Sequence, residues 1–147
     1  LTRWEFDLAT GTASETRLDD RPTEFPRIND RLWGRANRYS YNPQLARASE
    51  LLFDGVIKYD MQRGSSQTRV WGEGVLGGEV VFAPRHGTTR DDAEDDGYVV
   101  TITTLPGSNS ELWVLDAQNI TAEPLAIVEL PAQVPAGFHA EWAPAPA

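Results

Sequence analysis

Two histidines, His86 and His139, and no cysteine stand among the 147 residues. Any metal held by this chain therefore takes imidazole, carboxylate or carbonyl ligands rather than thiolate. His139 is the better placed of the two, in Val134-Pro135-Ala136-Gly137-Phe138-His139-Ala140 with Trp142 just beyond. A ligating imidazole needs a rigid backbone of this kind, but a histidine in such a turn also serves as a plain structural donor, and residue types alone leave both roles open. His86, in Arg85-His86-Gly87-Thr88-Thr89, opens a polar loop and reads as a solvated side chain.

Two carboxylates have unusual neighbours. Glu24 lies in Thr23-Glu24-Phe25-Pro26-Arg27-Ile28, among apolar residues where a hydrogen bond to a buried donor suits it better than solvent. Glu94 begins Glu94-Asp95-Asp96-Gly97-Tyr98, where an acidic loop that starts at Asp91 runs into a strand. Asp91 and Asp92 read as solvated. A calcium loop would alternate oxygen ligands and close on a later glutamate, a register this run lacks. Gly72, Gly74, Gly77 and Gly78 fall between two strands, with no helix N-terminus to receive a phosphate, and no serine elbow is present. Hydrolase and nucleotide-binding chemistry are thereby disfavoured. The net charge of -9 and pI near 4.6 disfavour nucleic acid, which is met by basic surfaces.

The elements that must position these side chains read as nearly all β. Turn residues recur throughout, and Asn42 to Leu52 is the only helix candidate. Three hairpins are predicted: Thr2 to Leu8 with Thr12 to Leu18, Gly55 to Met61 with Gln67 to Trp71, and Glu111 to Ala117 with Pro124 to Leu130. Each first strand ends in aspartate, at Asp7, Asp60 and Asp116. An aspartate there bonds turn amides, which explains the type but not the recurrence. Repetition at roughly 50 residues, with further strands at Arg38 to Tyr41, Glu79 to Pro84 and Tyr98 to Leu105, is the mark of β-propeller blades. Three unrelated hairpins in a β-sandwich are the alternative.

A propeller closes with roughly four to eight blades, and this chain supplies fewer than three. With Leu1 at its start, the chain is expected to be part of a longer protein, its own edges open. Residues 1–142 form the propeller part and 143–147 an extended Ala/Pro tail. No apolar run approaches the ~18 residues of a membrane span, so the chain is expected to be soluble, and the absence of cysteine fits a cytoplasmic home.

Taken together, several motifs in order resemble the C-terminal part of the carotenoid cleavage oxygenases, a family that includes stilbene-cleaving enzymes and retinoid isomerases. They are Glu24-Phe25-Pro26-Arg27-Ile28, Gly34-Arg35, Arg38-Tyr39 with Tyr41, Gly78-Glu79 with Phe82 and Pro84-Arg85, and Glu94 to Tyr98. Leu115-Asp116-Ala117, Leu130-Pro131, Val134-Pro135 and Gly137-Phe138-His139 complete the set. The resemblance implies a seven-bladed propeller with one non-haem Fe(II) held by four histidines, three of them hydrogen-bonded to glutamates. By this matching His139 is the final iron ligand, Glu24 and Glu94 are acids that accept the outer N–H of ligand histidines, and the other three histidines lie outside this chain. The implied reaction is oxidative cleavage by O2 of a conjugated double bond in an apolar polyene or stilbene, giving two carbonyl products; the isomerase branch is secondary. Phe25, Phe138 and Trp142 are candidate apolar neighbours of the site. Ala140 stands where the family usually has glycine. A non-enzymatic propeller that binds a protein or a small apolar ligand is the alternative function.

Overall fold

The computed structural model describes residues 1–47, 51–89, 91–135, 137 and 139–143. Among the described residues ten strands follow one another: β1 (Thr2–Asp7), β2 (Thr12–Arg17), β3 (Tyr39–Leu45), β4 (Phe53–Asp60), β5 (Ser65–Val70), β6 (Leu76–Gly77), β7 (Val81–Pro84), β8 (Gly97–Thr104), β9 (Ser110–Asp116) and β10 (Ala126–Glu129). Among the described residues the helical content is one 3-10 turn, Asp30–Leu32. The helix expected from Asn42 to Leu52 does not form: β3 runs through Leu45, where Asn42 faces Ile57 and Gln44 faces Gly55, and β4 begins at Phe53. Its apolar spacing was too short to outweigh pairing with a strand as apolar as β4, and residues 48–50 of the candidate lie outside the described ones.

The strands form two antiparallel meanders and a separate hairpin. In the first meander β3, β4 and β5 pair in sequence, and bridges from Thr23 to Gln44 and from Arg27 to Tyr41 lay the preceding segment against β3 as a partial fourth strand. In the second, β7, β8, β9 and β10 pair in sequence. The short β6 ties the two together, pairing with β4 through Phe53 and Gly77 and with β8 through Leu76 and Thr104. Each meander has the four-strand plan expected of a blade.

Burial follows the pairing. Strand β4 is inward on most positions, as befits a central strand covered on both faces, whereas β8 alternates buried and half-buried. Tyr41, Val56, Trp71, Val80, Phe82, Val99, Trp113 and Leu115 share one core, with Tyr41 stacked on Phe82 at 5.7 Å and Trp71 edge-on to Trp113 at 5.8 Å. The hairpin β1–β2 and strand β10 are exposed along their whole length. Trp4 and Phe6, two residues apart on the same face of β1, are 56% and 68% exposed. These open edges match the expectation for a partial propeller.

The repeated aspartates do what their position requires. Asp7 Oδ1 accepts the amides of Ala9 and Thr10, Asp60 Oδ1 those of Gln62 and Arg63, and Asp116 Oδ1 that of Gln118. In the first two hairpins the glycine four residues on, Gly11 or Gly64, donates to the aspartate carbonyl with φ of 69° or 62°, a left-handed conformation that glycine adopts without strain. The third hairpin departs from that plan: its longer connection folds Ile120 fully into the core.

Candidate metal centre

His139 is held by its neighbours rather than by an element of its own. Its ring meets Phe25 edge-on at 5.2 Å, and Phe25 in turn meets the buried Phe53 at 5.9 Å. Phe25 has φ of 47°, a left-handed backbone that is rare for a bulky residue and is kept where the surroundings enforce it. The Phe25 ring lies between Phe53 of β4 and His139. The His139 side chain itself is 64% exposed, so the imidazole stands at the surface of this chain while its backbone is anchored.

The anchor is an ion pair between a partly exposed arginine and a buried glutamate. Arg27 Nε donates to Glu79 Oε1 at 3.1 Å, and the Glu79 side chain is 4% exposed. Glu79 Oε2 accepts the Ala140 N–H at 2.6 Å, while Arg27 Nη2 donates to the Ala140 carbonyl at 2.5 Å. The residue after His139 is thus gripped on both of its polar groups. Glu79 Oε2 also lies 3.5 Å from His139 Nδ1, a contact longer than an ordinary hydrogen bond. Both members of the pair are fixed from behind: Arg27 exchanges backbone bonds with Tyr41, and the Glu79 carbonyl accepts from Thr101 Oγ1 at 3.1 Å.

Sequence reading named Glu24 and Glu94 as the acids of the site. Glu24 is exposed, its backbone N–H donating to Pro43 O. Glu94 is half-buried and accepts the Tyr39 amide at 2.7 Å and the Arg38 amide at 2.8 Å, while its carbonyl accepts from Asn29 Nδ2. The carboxylate that the structure brings beside His139 is Glu79. It belonged to a recognised motif, Gly78-Glu79, without a role assigned to it; the available signal was an acid placed directly before the apolar run Val80-Val81-Phe82. Trp142 is 43% exposed, and Phe138 lies outside the described residues. His86 is exposed, as its polar loop predicted.

The rest of the acidic motif divides into separate tasks. Asp95 pairs with Lys58, whose ammonium is buried at 2.7 Å from Asp95 Oδ2 and also donates to the Ala117 carbonyl at 2.8 Å. Asp96 accepts from Arg85, which also donates to the Tyr98 hydroxyl. Gly97 has no room for a side chain, since a Cβ there would stand 2.5 Å from the Ala83 carbonyl oxygen across the strand pair. Asp91 and Asp92 are exposed, as expected, with Asp92 capping the Thr89 amide.

Among the described residues no three histidine, aspartate or glutamate side chains converge as a complete metal cage. What the structure offers is one surface imidazole on an anchored backbone with a buried carboxylate behind it. That donor set fits one ligand position of an imidazole site, the class that suits iron, copper, nickel and zinc.

The match to known proteins covers nearly the whole chain. The family model for retinal pigment epithelial membrane protein matches residues 1–144. A carotenoid cleavage oxygenase of Mycobacterium tuberculosis is 39% identical over 98% of this chain and 29% of its own length. Cobalt-substituted Synechocystis apocarotenoid oxygenase superposes with a TM-score of 0.86 at 32% identity, over 97% of this chain and 29% of that one. Lignostilbene dioxygenase of Pseudomonas brassicacearum gives 0.86 at 29% identity, over 98% and 32%. This chain therefore spans about a third or less of the relatives it matches, and its two meanders are blades of their β-propeller. The chain belongs to the retinal pigment epithelial membrane protein family, the family of the carotenoid cleavage oxygenases.

Proposed function

We propose that the whole protein containing this chain is an Fe(II)-dependent oxygenase. It cleaves a conjugated carbon–carbon double bond of a carotenoid, apocarotenoid or stilbene, with one oxygen atom of O2 ending in each of two carbonyl products. His139 is one iron ligand, and Glu24 and Glu94 accept the outer ring N–H of ligand histidines contributed from outside this chain. The observation that carries the reading is the anchored, outward-facing imidazole of His139 in a chain similar over its length to oxygenases of carotenoids, apocarotenoids and lignostilbenes.

Bound iron would supply the activation of O2. The residues of this chain prepare its place. Arg27 and Glu79 hold the backbone beside the ligand, Phe25 sets an apolar ring edge-on to the imidazole, and the absence of cysteine leaves nitrogen and oxygen donors. A carboxylate behind a ligating imidazole fixes its tautomer and raises its basicity, a role available to Glu24 and Glu94 toward histidines of other blades.

The test is product analysis of the whole protein, purified with Fe(II), on carotenoid, apocarotenoid and stilbene substrates under 18O2. Paired carbonyl products carrying the label are expected from one of these classes. Binding of such a compound without any cleavage would favour a non-enzymatic propeller, and an isomerised product without oxygen incorporation would favour the retinoid-isomerase branch.

A further inference from the structure

We infer that this part of the protein is chemically hardened against the carbonyl compounds its enzyme releases, because it offers them neither a reachable lysine amine nor a thiol. The inference rests on the reading of the whole protein as an oxygenase that cleaves a conjugated double bond.

The products of such a cleavage are electrophiles. A lysine condenses with an aldehyde once its ammonium has lost a proton. The amine nitrogen then bonds to the carbonyl carbon, and the carbonyl oxygen leaves as water with the two remaining amine hydrogens, giving an imine without any change of oxidation state. A polyene product keeps double bonds beside its carbonyl, so a thiolate can add to it as well.

Composition and burial close both routes. Lysine is ordinarily among the commonest residues of a globular domain, yet of the thirteen lysine and arginine residues here Lys58 is the single lysine, and cysteine is absent. Lys58 is 5% exposed. Its three ammonium protons have three acceptors, Asp95 Oδ2 at 2.7 Å, the Ala117 carbonyl at 2.8 Å and the Gln118 carbonyl at 3.3 Å. The Tyr39 ring, 4.2 Å away, covers it further. An ammonium has no lone pair with which to attack, and releasing a proton here would break the pair with Asp95.

The exposed cations are guanidinium groups, among them Arg3, Arg17, Arg35 and Arg63. A guanidinium stays protonated and delocalised, so it carries surface charge without a free amine. Fork geometry explains arginine at Arg21, Arg38 and Arg85, each of which makes at least two directed bonds to side chains. It does not explain the choice at Arg63, whose ion-pair contact with Asp60 is 3.9 Å long. A lysine would serve there equally well on electrostatic grounds and would expose an amine.

The experiment uses the whole protein as wild type, Arg3→Lys and Arg63→Lys. Each is incubated with cinnamaldehyde or benzaldehyde, any imine is trapped as a secondary amine by cyanoborohydride, and adducts are located by peptide mass mapping. Wild type unfolded in guanidinium chloride is the reference. We expect Lys58 in the folded protein to react at least about 10-fold more slowly than in the unfolded one, and the introduced lysines to react readily in the folded variants. Labelling of Lys58 at the unfolded rate overturns the inference, as does an absence of adducts at both introduced lysines. In a second arm wild type turns over carotenoid, apocarotenoid and stilbene substrates before trapping. Carbonyl product accumulating while Lys58 stays unmodified is the expected result. Accumulating product with Lys58 modified overturns the hardening alone, whereas no carbonyl product from any substrate overturns the oxygenase reading beneath it.

Discussion

Glu94 reaches across 55 residues of sequence to accept the Tyr39 amide at 2.7 Å, and the same carboxylate takes the Arg38 amide. One acid of the Glu-Asp-Asp-Gly motif thus fastens the start of β3 in this chain. Glu94→Ala would leave two backbone donors without that acceptor and should cost about 1–3 kcal/mol in the whole protein, measured by denaturant unfolding. Glu94→Gln retains one acceptor oxygen and should cost less, so weakened iron retention in a well-folded Glu94→Gln protein would separate the proposed role toward a histidine from this structural one. Iron retention equal to wild type in Glu94→Gln would remove that role.

Lys58 and Asp95 form a buried pair, with side chains 6% and 13% exposed. The ammonium also lies 4.2 Å from the centre of the Tyr39 ring. Removing one partner leaves a buried charge, so Asp95→Ala is expected to destabilise by roughly 3–5 kcal/mol. The double variant Lys58→Met, Asp95→Ala should recover part of that loss. Additive single effects in the cycle would contradict the coupling.

Gly77 carries the indole of Trp71 against its backbone, where a Cβ would stand 2.4 Å from Trp71 Nε1. Trp71 is buried and packed edge-on to Trp113, so shifting its indole would disturb the core. Gly77→Ala should therefore destabilise the fold by about 1–3 kcal/mol through overpacking. It should also alter the near-ultraviolet circular dichroism, and an unchanged spectrum with unchanged stability would argue against the contact.

Two carboxylates give the fold a defined acid dependence. The Arg21 guanidinium holds Asp19 well below the usual carboxylate range, and the Arg38 guanidinium does the same for Asp60. Because the folded value lies below the unfolded one of about 3.9, each contribution is complete above that pH and is lost as the pH falls toward the folded value. Asp19→Asn and Asp60→Asn should thus be less stable than wild type at pH 7, with the gap narrowing below about pH 4. A gap that stays constant or widens on acidification would contradict this sign.

Much of the fold is legible in local chemistry. Aspartates at strand ends and Gly11 and Gly64 at turn positions that need positive φ mark hairpins whose bonds the structure contains. The helix candidate failed because the apolar period around Leu45 is a local signal, whereas the partner that makes it a strand is β4, supplied by tertiary pairing. The site is only partly legible for the same reason. His139 is visible as a constrained histidine, but the Arg27–Glu79 clamp joins residues 52 apart and reaches one 61 residues from Glu79. No spacing rule connects such positions, and only the fold brings them onto Ala140. Phe25 shows the same limit: its type and neighbours are readable, but its left-handed backbone is imposed by packing between Phe53 and His139.

The central claim is that His139 is a ligand of iron, and the most direct test is the iron content of the whole protein, purified in parallel as wild type and His139→Ala. The account predicts near-complete loss of iron from the variant, with folding retained by circular dichroism, because the exposed imidazole lies outside the buried core. Iron bound by His139→Ala at the wild-type level and affinity would contradict it.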